Sequence, residues 1–188
     1  MRKIFAFLLV VLTIMGCGVL NRNKNLDVAL KLDREKLKQS SILIFNFKEP
    51  DYAEGSGVFA AEVFHTRLLE SKKFKVVSLD TSSPWGRLGG TEEERLLALL
   101  EEGRDRSFDY ILVGEVKDFF YGGMNTSRVK MRVRIIEVPT NTTIFLADNS
   151  KEAESTDLHR PMDTRLSEKA EDPKRLAEKI IREFIKKI

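Results

Sequence analysis

Cys17 is the only cysteine of the 188-residue chain, and its flanks decide what its thiol can do. Met1-Arg2-Lys3 opens the chain, an apolar run from Ile4 to Met15 follows with Thr13 its sole polar residue, and Gly16 leads into Cys17. A basic start, an apolar stretch and a small residue before the cut make a secretory signal. The run is too short to span a bilayer, which takes about 20 apolar residues. In an exported chain a single cysteine has no partner for an internal disulfide. With no second thiol it serves neither a redox pair nor a thiolate zinc site.

Other reactive types are sparse. His65 shares a helical face with Ala61 and Leu68, the setting of a boundary histidine more than of a general base. His159 has Asp157 near it but no other histidine or cysteine, which falls short of a metal site. No G-x-S-x-G nucleophile elbow occurs, and acidic pairs such as Glu101-Glu102 fall on a helix surface. Gly55-Ser56-Gly57-Val58-Phe59-Ala60, with Asp80 twenty residues beyond, imitates a dinucleotide fingerprint. That fingerprint needs a tight strand-to-helix turn, whereas seven residues separate Phe47 from Gly55. Helix capping accounts for the glycines instead. The expectation is a protein that is not an enzyme, with no catalytic residue, no cofactor and no metal.

Ile14-Met15-Gly16-Cys17 resembles the lipobox of bacterial lipoproteins. The resemblance implies cleavage before Cys17, a diacylglyceryl thioether on its sulfur and an acylated new N-terminus. Two or more acyl chains turn marginal membrane binding into stable anchoring. Gly18, not Asp, follows the cysteine; by likeness to Gram-negative lipoproteins this implies the outer membrane, with the domain in the periplasm. Residues 1–16 are then a signal peptide, 17–40 a lipidated cysteine and flexible polar tether, and 41–188 a single domain. Loss of Arg2 and Lys3 with the signal leaves 30 cations against 29 carboxylates, a net charge of +1. That balance calls for neither nucleic acid nor a strongly acidic partner.

The elements read as follows. Ile42 to Phe47 is a mostly apolar run suited to a strand buried on both faces. Ser56 offers an N-cap to a helix of about 57–71, whose Val58, Ala61, Phe64, Leu68 and Leu69 share a face. Phe74 to Leu79 forms a second strand, and Thr91 with Glu94 makes a capping box for a helix to about Glu102. Asp109 to Glu115 is a third strand. Arg128, Lys130, Arg132 and Arg134 then alternate with Val129, Met131, Val133 and Ile135, a strand with one wet and one buried face. Pro139-Thr140-Asn141 turns the chain into a return strand at 142–148. Residues 149–171 read as a polar excursion, and Asp172-Pro173 starts a last helix with Leu176, Ile180, Phe184 and Ile188 on its apolar face. The fold class is α/β: a β-α-β-α-β-β-β-α chain in a mixed sheet of about five strands, order 2-1-3-4-5, packed with helices.

This arrangement resembles the domain shared by the curli-secretion lipoprotein family, the lipoprotein activators of penicillin-binding proteins and the N-terminal domain of TolB. Ile42 to Phe47, Phe74-Lys75-Val76-Val77, Asp109 to Val116 and Val133 to Asn141 carry the likeness. Asn141 stands where that hairpin often has glycine, and the long insertions of the curli channel's pore are missing. The resemblance implies a periplasmic binding domain.

Two surfaces stand out. The loops after the three parallel strands emerge at one sheet edge and bring Tyr52, then Trp85 and Arg87, then Phe119, Phe120 and Tyr121. Aromatics with arginine are enriched at binding hot spots, so these form the candidate partner surface, although Phe119 or Phe120 can equally plug the end of the core. The stripe Arg128, Lys130, Arg132, Arg134 is either a solvated face paired with acids of the last helix or the excursion, or a contact for anionic headgroups. The expected function is a membrane-anchored scaffold that binds an envelope protein or a second copy of itself. The alternative is an auxiliary lipoprotein of lipid or lipopolysaccharide transport.

Overall fold

The computed structural model describes residues 27–30, 32–82, 90–123, 126–154 and 170–188. In chain order the elements are β1 (Asp27–Leu30), α1 (Arg34–Leu37), β2 (Ser41–Phe45), α2 (Ser56–Ser71) and β3 (Val76–Asp80). Then come α3 (Glu92–Asp105), β4 (Tyr110–Tyr121), β5 (Thr126–Glu137), β6 (Thr142–Glu154) and α4 (Pro173–Lys187). The strands form one mixed sheet in the order β1-β6-β5-β4-β2-β3. β2 runs parallel to β3 and β4, while β4, β5, β6 and β1 are joined antiparallel. The five strands expected from the sequence stand in the expected 2-1-3-4-5 order.

The sixth strand comes from the segment read as tether. Asp27–Leu30 pairs antiparallel with Phe145–Asp148. Asp33 then caps α1 by accepting from the Glu35 and Lys36 amides at 3.1 and 3.3 Å, and Leu37 is buried. The expectation of a flexible stretch through residue 40 is therefore corrected: this part of the chain pairs with the sheet edge and seals the core. A four-residue strand carries too few side chains for its alternation to be legible.

Two strands outrun their expected ends. β4 continues past Glu115 to Tyr121, so Phe119, Phe120 and Tyr121 lie in a strand and not in a loop. The cause is a shift of register between Val116 and Asp118, a β-bulge that breaks the two-residue alternation at Lys117. β6 likewise runs to Glu154, through residues expected in the excursion.

One sheet face meets α2 and α4. Ile42, Ile44, Leu112, Met131, Val133, Ile135 and Phe145 pack there against Phe64, Leu68, Ile180 and Phe184. The rings of Phe47, Phe64 and Phe184 follow in series at 5.4 and 6.1 Å between centroids. On α2 the buried stripe is Ala60, Ala61, Phe64 and Leu68, while Val58 and Leu69 remain exposed. The other face is covered over β2 and the first part of β4 by Leu99 and Leu100 of α3, which meet Leu43, Phe45, Ile111 and Val113. The expected capping box holds the start of α3, with Thr91 N–H donating to Glu94 Oε2 at 2.7 Å and Glu94 N–H to Thr91 Oγ1 at 3.2 Å. Beyond α3, the same side of the ribbon β4-β5-β6 carries charged side chains.

Candidate functional site

The aromatic end is built where β4 and β5 outrun the parallel strands. The Lys48 N–H donates to the Gly114 carbonyl at 2.9 Å and the Val116 N–H to the Lys48 carbonyl at 2.7 Å, which closes the β2–β4 pairing. The β4–β5 hairpin then projects with Tyr121 opposite Ser127 and Phe120 opposite Arg128. Tyr52, 65% exposed, donates its hydroxyl to Asp118 Oδ1 at 2.9 Å. Asp118 also holds the Arg128 guanidinium, and that guanidinium lies 5.8 Å from the Phe120 ring centroid. Partial desolvation of its hydroxyl end first, and the Asp118 carboxylate second, push the Tyr52 phenol upward. Phe120 and Tyr121 are 43% and 50% exposed. Phe119 turns to the helix side and meets the Phe59 ring edge-on at 6.5 Å. Of the residues expected at this surface, Tyr52 and Phe120 are linked through Asp118 and Arg128 on the charged face, and Tyr121 is exposed at the same hairpin end on the opposite face. Phe119 plugs the core end, and Trp85 and Arg87 lie outside the described residues. Cys17 also lies outside them.

The basic stripe lies on the bare side of β5, and its arginines are partnered. Arg128 pairs with Asp118 of β4, Arg132 Nε with Asp148 Oδ2 of β6 at 2.8 Å, and Arg134 with Glu92 of α3 at 3.8 Å. Asp148 serves a second cation, Lys117 Nζ, at 3.0 Å. Burial works to raise the Asp148 pKa, but the hydrogen bonds from Arg132 and Lys117 outweigh it and hold the carboxyl below its usual range. Lys130 is exposed and makes no ion pair among the described residues. The partners come from neighbouring strands and α3, not from the last helix or the excursion. Counting outward from Glu137 opposite Thr142 sets Arg132 opposite Ala147; a register shift between Ile135 and Ile136 brings Asp148 there instead, so this acid was not legible in the sequence. Asp118 was hidden by the bulge.

The glycine pattern before α2 serves packing. Gly55 caps the helix at φ 83°, while Ser56, expected as the cap, is buried within the first turn. Glu49 takes the capping role through its carboxylate, which accepts from the Gly55 amide at 3.1 Å and the Gly57 amide at 2.6 Å. A Cβ on Gly57 would stand 2.1 Å from the Phe47 carbonyl oxygen. The position where a phosphate would meet the helix N-terminus is thus filled by the chain's own carboxylate. Nothing in the sequence pattern singled out Glu49.

At the end of β3, Asp80 is buried and accepts from Ser82 N and Oγ at 2.8 and 2.7 Å, with the Arg106 guanidinium against its other oxygen. Burial pulls its pKa up, yet the bonds from Ser82 and Arg106 bring it down to about 2. His65 is half-buried on α2, and among the described residues no group of three or more His, Cys, Asp or Glu is placed to hold a metal ion. No helix among them is long and apolar enough to cross a membrane.

Fold and site together define an α/β sheet domain that presents an exposed aromatic end beside a face of paired charges. The same fold is found in the PelC dodecamer from Paraburkholderia phytofirmans, at a TM-score of 0.62 and 12% identity, covering 85% of this chain and 93% of that one. Lipoprotein GNA1162 from Neisseria meningitidis aligns more loosely, at a TM-score of 0.45 and 13% identity over 79% of this chain and 96% of that one. The LpoB C-terminal domain from Escherichia coli does so at 0.42 and 13%, over 60% and 82%. At such identities the likeness is one of fold. No family model matches the chain, and neither does any curated protein.

Proposed function

We propose that this chain is a lipid-anchored accessory protein of the bacterial envelope, in which Cys17 fixes a leaflet and the α/β domain associates with another envelope protein or with copies of itself. The fold carries this reading. It spans nearly the whole of a PelC chain that assembles as a dodecamer, and β1 and β3 leave both sheet edges available for association. A non-enzymatic role belongs to the same proposal, because the polar groups at the strand ends are spent on structure. Glu49 caps a helix, Asp80 ties the end of β3 and Asp118 holds Tyr52 and Arg128. Headgroup contact through the basic stripe is the less favoured reading, since Arg128, Arg132 and Arg134 already face carboxylates.

The test is the assembly state of the full chain extracted from membranes, measured by light scattering, with photocrosslinkers at Lys130 on the charged face and Val76 on the β3 edge. The expected result is an oligomer, or a covalent adduct to a defined protein in intact cells. A monomer whose crosslinkers capture no protein at either position overturns the reading.

A further inference from the structure

We infer that the aromatic end of the hairpin rests on the lipid leaflet, with Tyr52, Phe120 and Tyr121 seated at the headgroup level; this rests on the reading of Cys17 as the lipid anchor. Three observations converge on that end. First, β1 is antiparallel to β6, with Asp27 opposite Asp148 and Leu30 opposite Phe145. The N-terminal end of β1 therefore points in the direction in which β6 runs on to Glu154. Glu154 stands opposite Thr126, beside the end of β4 at Tyr121. Second, the reach fits. From the level of Asp148 to that of Glu154 is six residues of strand, about 20 Å. Ten residues lead from Cys17 to Asp27 and span at most about 33–36 Å when extended. An anchored Cys17 thus reaches past the hairpin end without reversing direction. Access to the opposite end, at the Thr140 turn, would require the chain to double back over about 20 Å.

Third, the chemistry of the end suits an interface between water and lipid. Tyr52, Phe120 and Tyr121 are three of the seven large apolar side chains exposed on the described surface, and Val58 at the start of α2, 37% exposed, is a fourth on the parallel-strand ends. Tyrosine places an apolar ring and a polar hydroxyl at the headgroup boundary. The charges nearby are mixed: Arg128 pairs with Asp118 and stands opposite Glu152, Lys130 stands opposite Asp118, and Glu154 ends β6 opposite Thr126. Lys174 lies over the Phe59 ring, and Asp51 and Glu54 flank Tyr52 in the chain. That balance gives anionic lipid no advantage, so ring burial drives the contact and it withstands salt. The acyl chains supply the anchoring and the rings set the orientation.

The test uses the full acylated chain in phosphatidylethanolamine vesicles. With Cys17 acylated, an introduced cysteine is the only free thiol and takes a nitroxide label at Tyr121→Cys, Tyr52→Cys or, as the distal control, Thr140→Cys. The expected result is an oxygen-to-nickel accessibility ratio several-fold higher at 121 and 52 than at 140, unchanged by high salt. Two surface positions guard against one variant failing to fold. Water-like labels at 121 and 52 on a protein whose Cys17 is acylated by mass spectrometry overturn this inference alone. Labels screened from both oxygen and nickel mean a protein contact and overturn it as well. An unmodified Cys17 removes the anchor reading and the inference together.

Discussion

Asp80 and Asp148 show how single carboxylates set the acid limit of this domain. Each is held as the anion by donors that outweigh the cost of burial, Ser82 and Arg106 for Asp80, Arg132 and Lys117 for Asp148. A carboxyl whose folded pKa lies below its unfolded value stabilises the fold above the unfolded pKa, and this is lost as pH falls through the folded one. For Asp80 that window runs from the ordinary 3.8 down to about 2, and the stabilisation at neutral pH is about 2 kcal/mol. Asp80→Asn is expected to lower stability by about 1–3 kcal/mol and to flatten the loss of stability between those pH values, measured by denaturant unfolding at stepped pH. The Asp148 contact divides differently, because one carboxylate serves two cations. Asp148→Ala strands both Arg132 and Lys117, whereas Arg132→Ala leaves Lys117 paired. The acid variant is expected to be the less stable by about 1 kcal/mol, discounted for partial exposure, and chemical denaturation of the two proteins checks the order.

Between elements, close approach is bought with glycine. A Cβ on Gly114 would lie 2.2 Å from the Phe47 ring, which is itself held 5.4 Å from Phe64 and has little room to move. Gly114→Ala is expected to destabilise by about 1–3 kcal/mol, as overpacked cores do. Combined with Phe47→Leu it should cost less than the sum of the two single changes, with a coupling of about 0.5–3 kcal/mol; a double-mutant cycle from unfolding midpoints reads this directly. These contacts also explain which parts of the fold were legible. β5 announced itself because one face is wet and the other buried, and α3 because its capping box is written in Thr91 and Glu94. The end of β4 was illegible because the bulge at Lys117 breaks the alternation that defines a strand. Glu49 was illegible because the carboxylate that caps α2 lies in a loop whose path the sequence does not fix. Asn141 shows the opposite case. At φ 53° it takes the left-handed position of the turn, a conformation asparagine tolerates better than most residues.

At the scale of the whole molecule, β1 ties the chain ahead of α1 to the edge of the sheet. Before Asp27 lies the chain leading to Cys17; after it, α1 buries Leu37 and Lys36 Nζ reaches Glu137 Oε1 at 2.5 Å. The strand covers the outer edge of β6 from Phe145 to Asp148, and its N-terminal end points along β6 toward Glu154. A bare edge strand offers unpaired amides and carbonyls to any neighbouring chain. Replacing residues 27–30 with Gly-Ser-Gly-Ser keeps the length of the tether while removing much of the strand's preference, because glycine and serine pair weakly in sheets. Faster amide exchange is expected at β6 residues 145–148 that β1 had paired, while the β4–β5 pairing keeps its protection. The melting temperature should fall by a few degrees, since about 2–4 °C corresponds to 1 kcal/mol for a chain of this size. If β1 orients the anchor, the same variant should also narrow the difference in lipid accessibility between labels at 121 and 140, because a freed tether no longer leaves the sheet in one direction. Unchanged exchange at 145–148 would show that those amides owe their protection to something other than β1, and an accessibility difference kept in full would mean that the rings alone orient the domain.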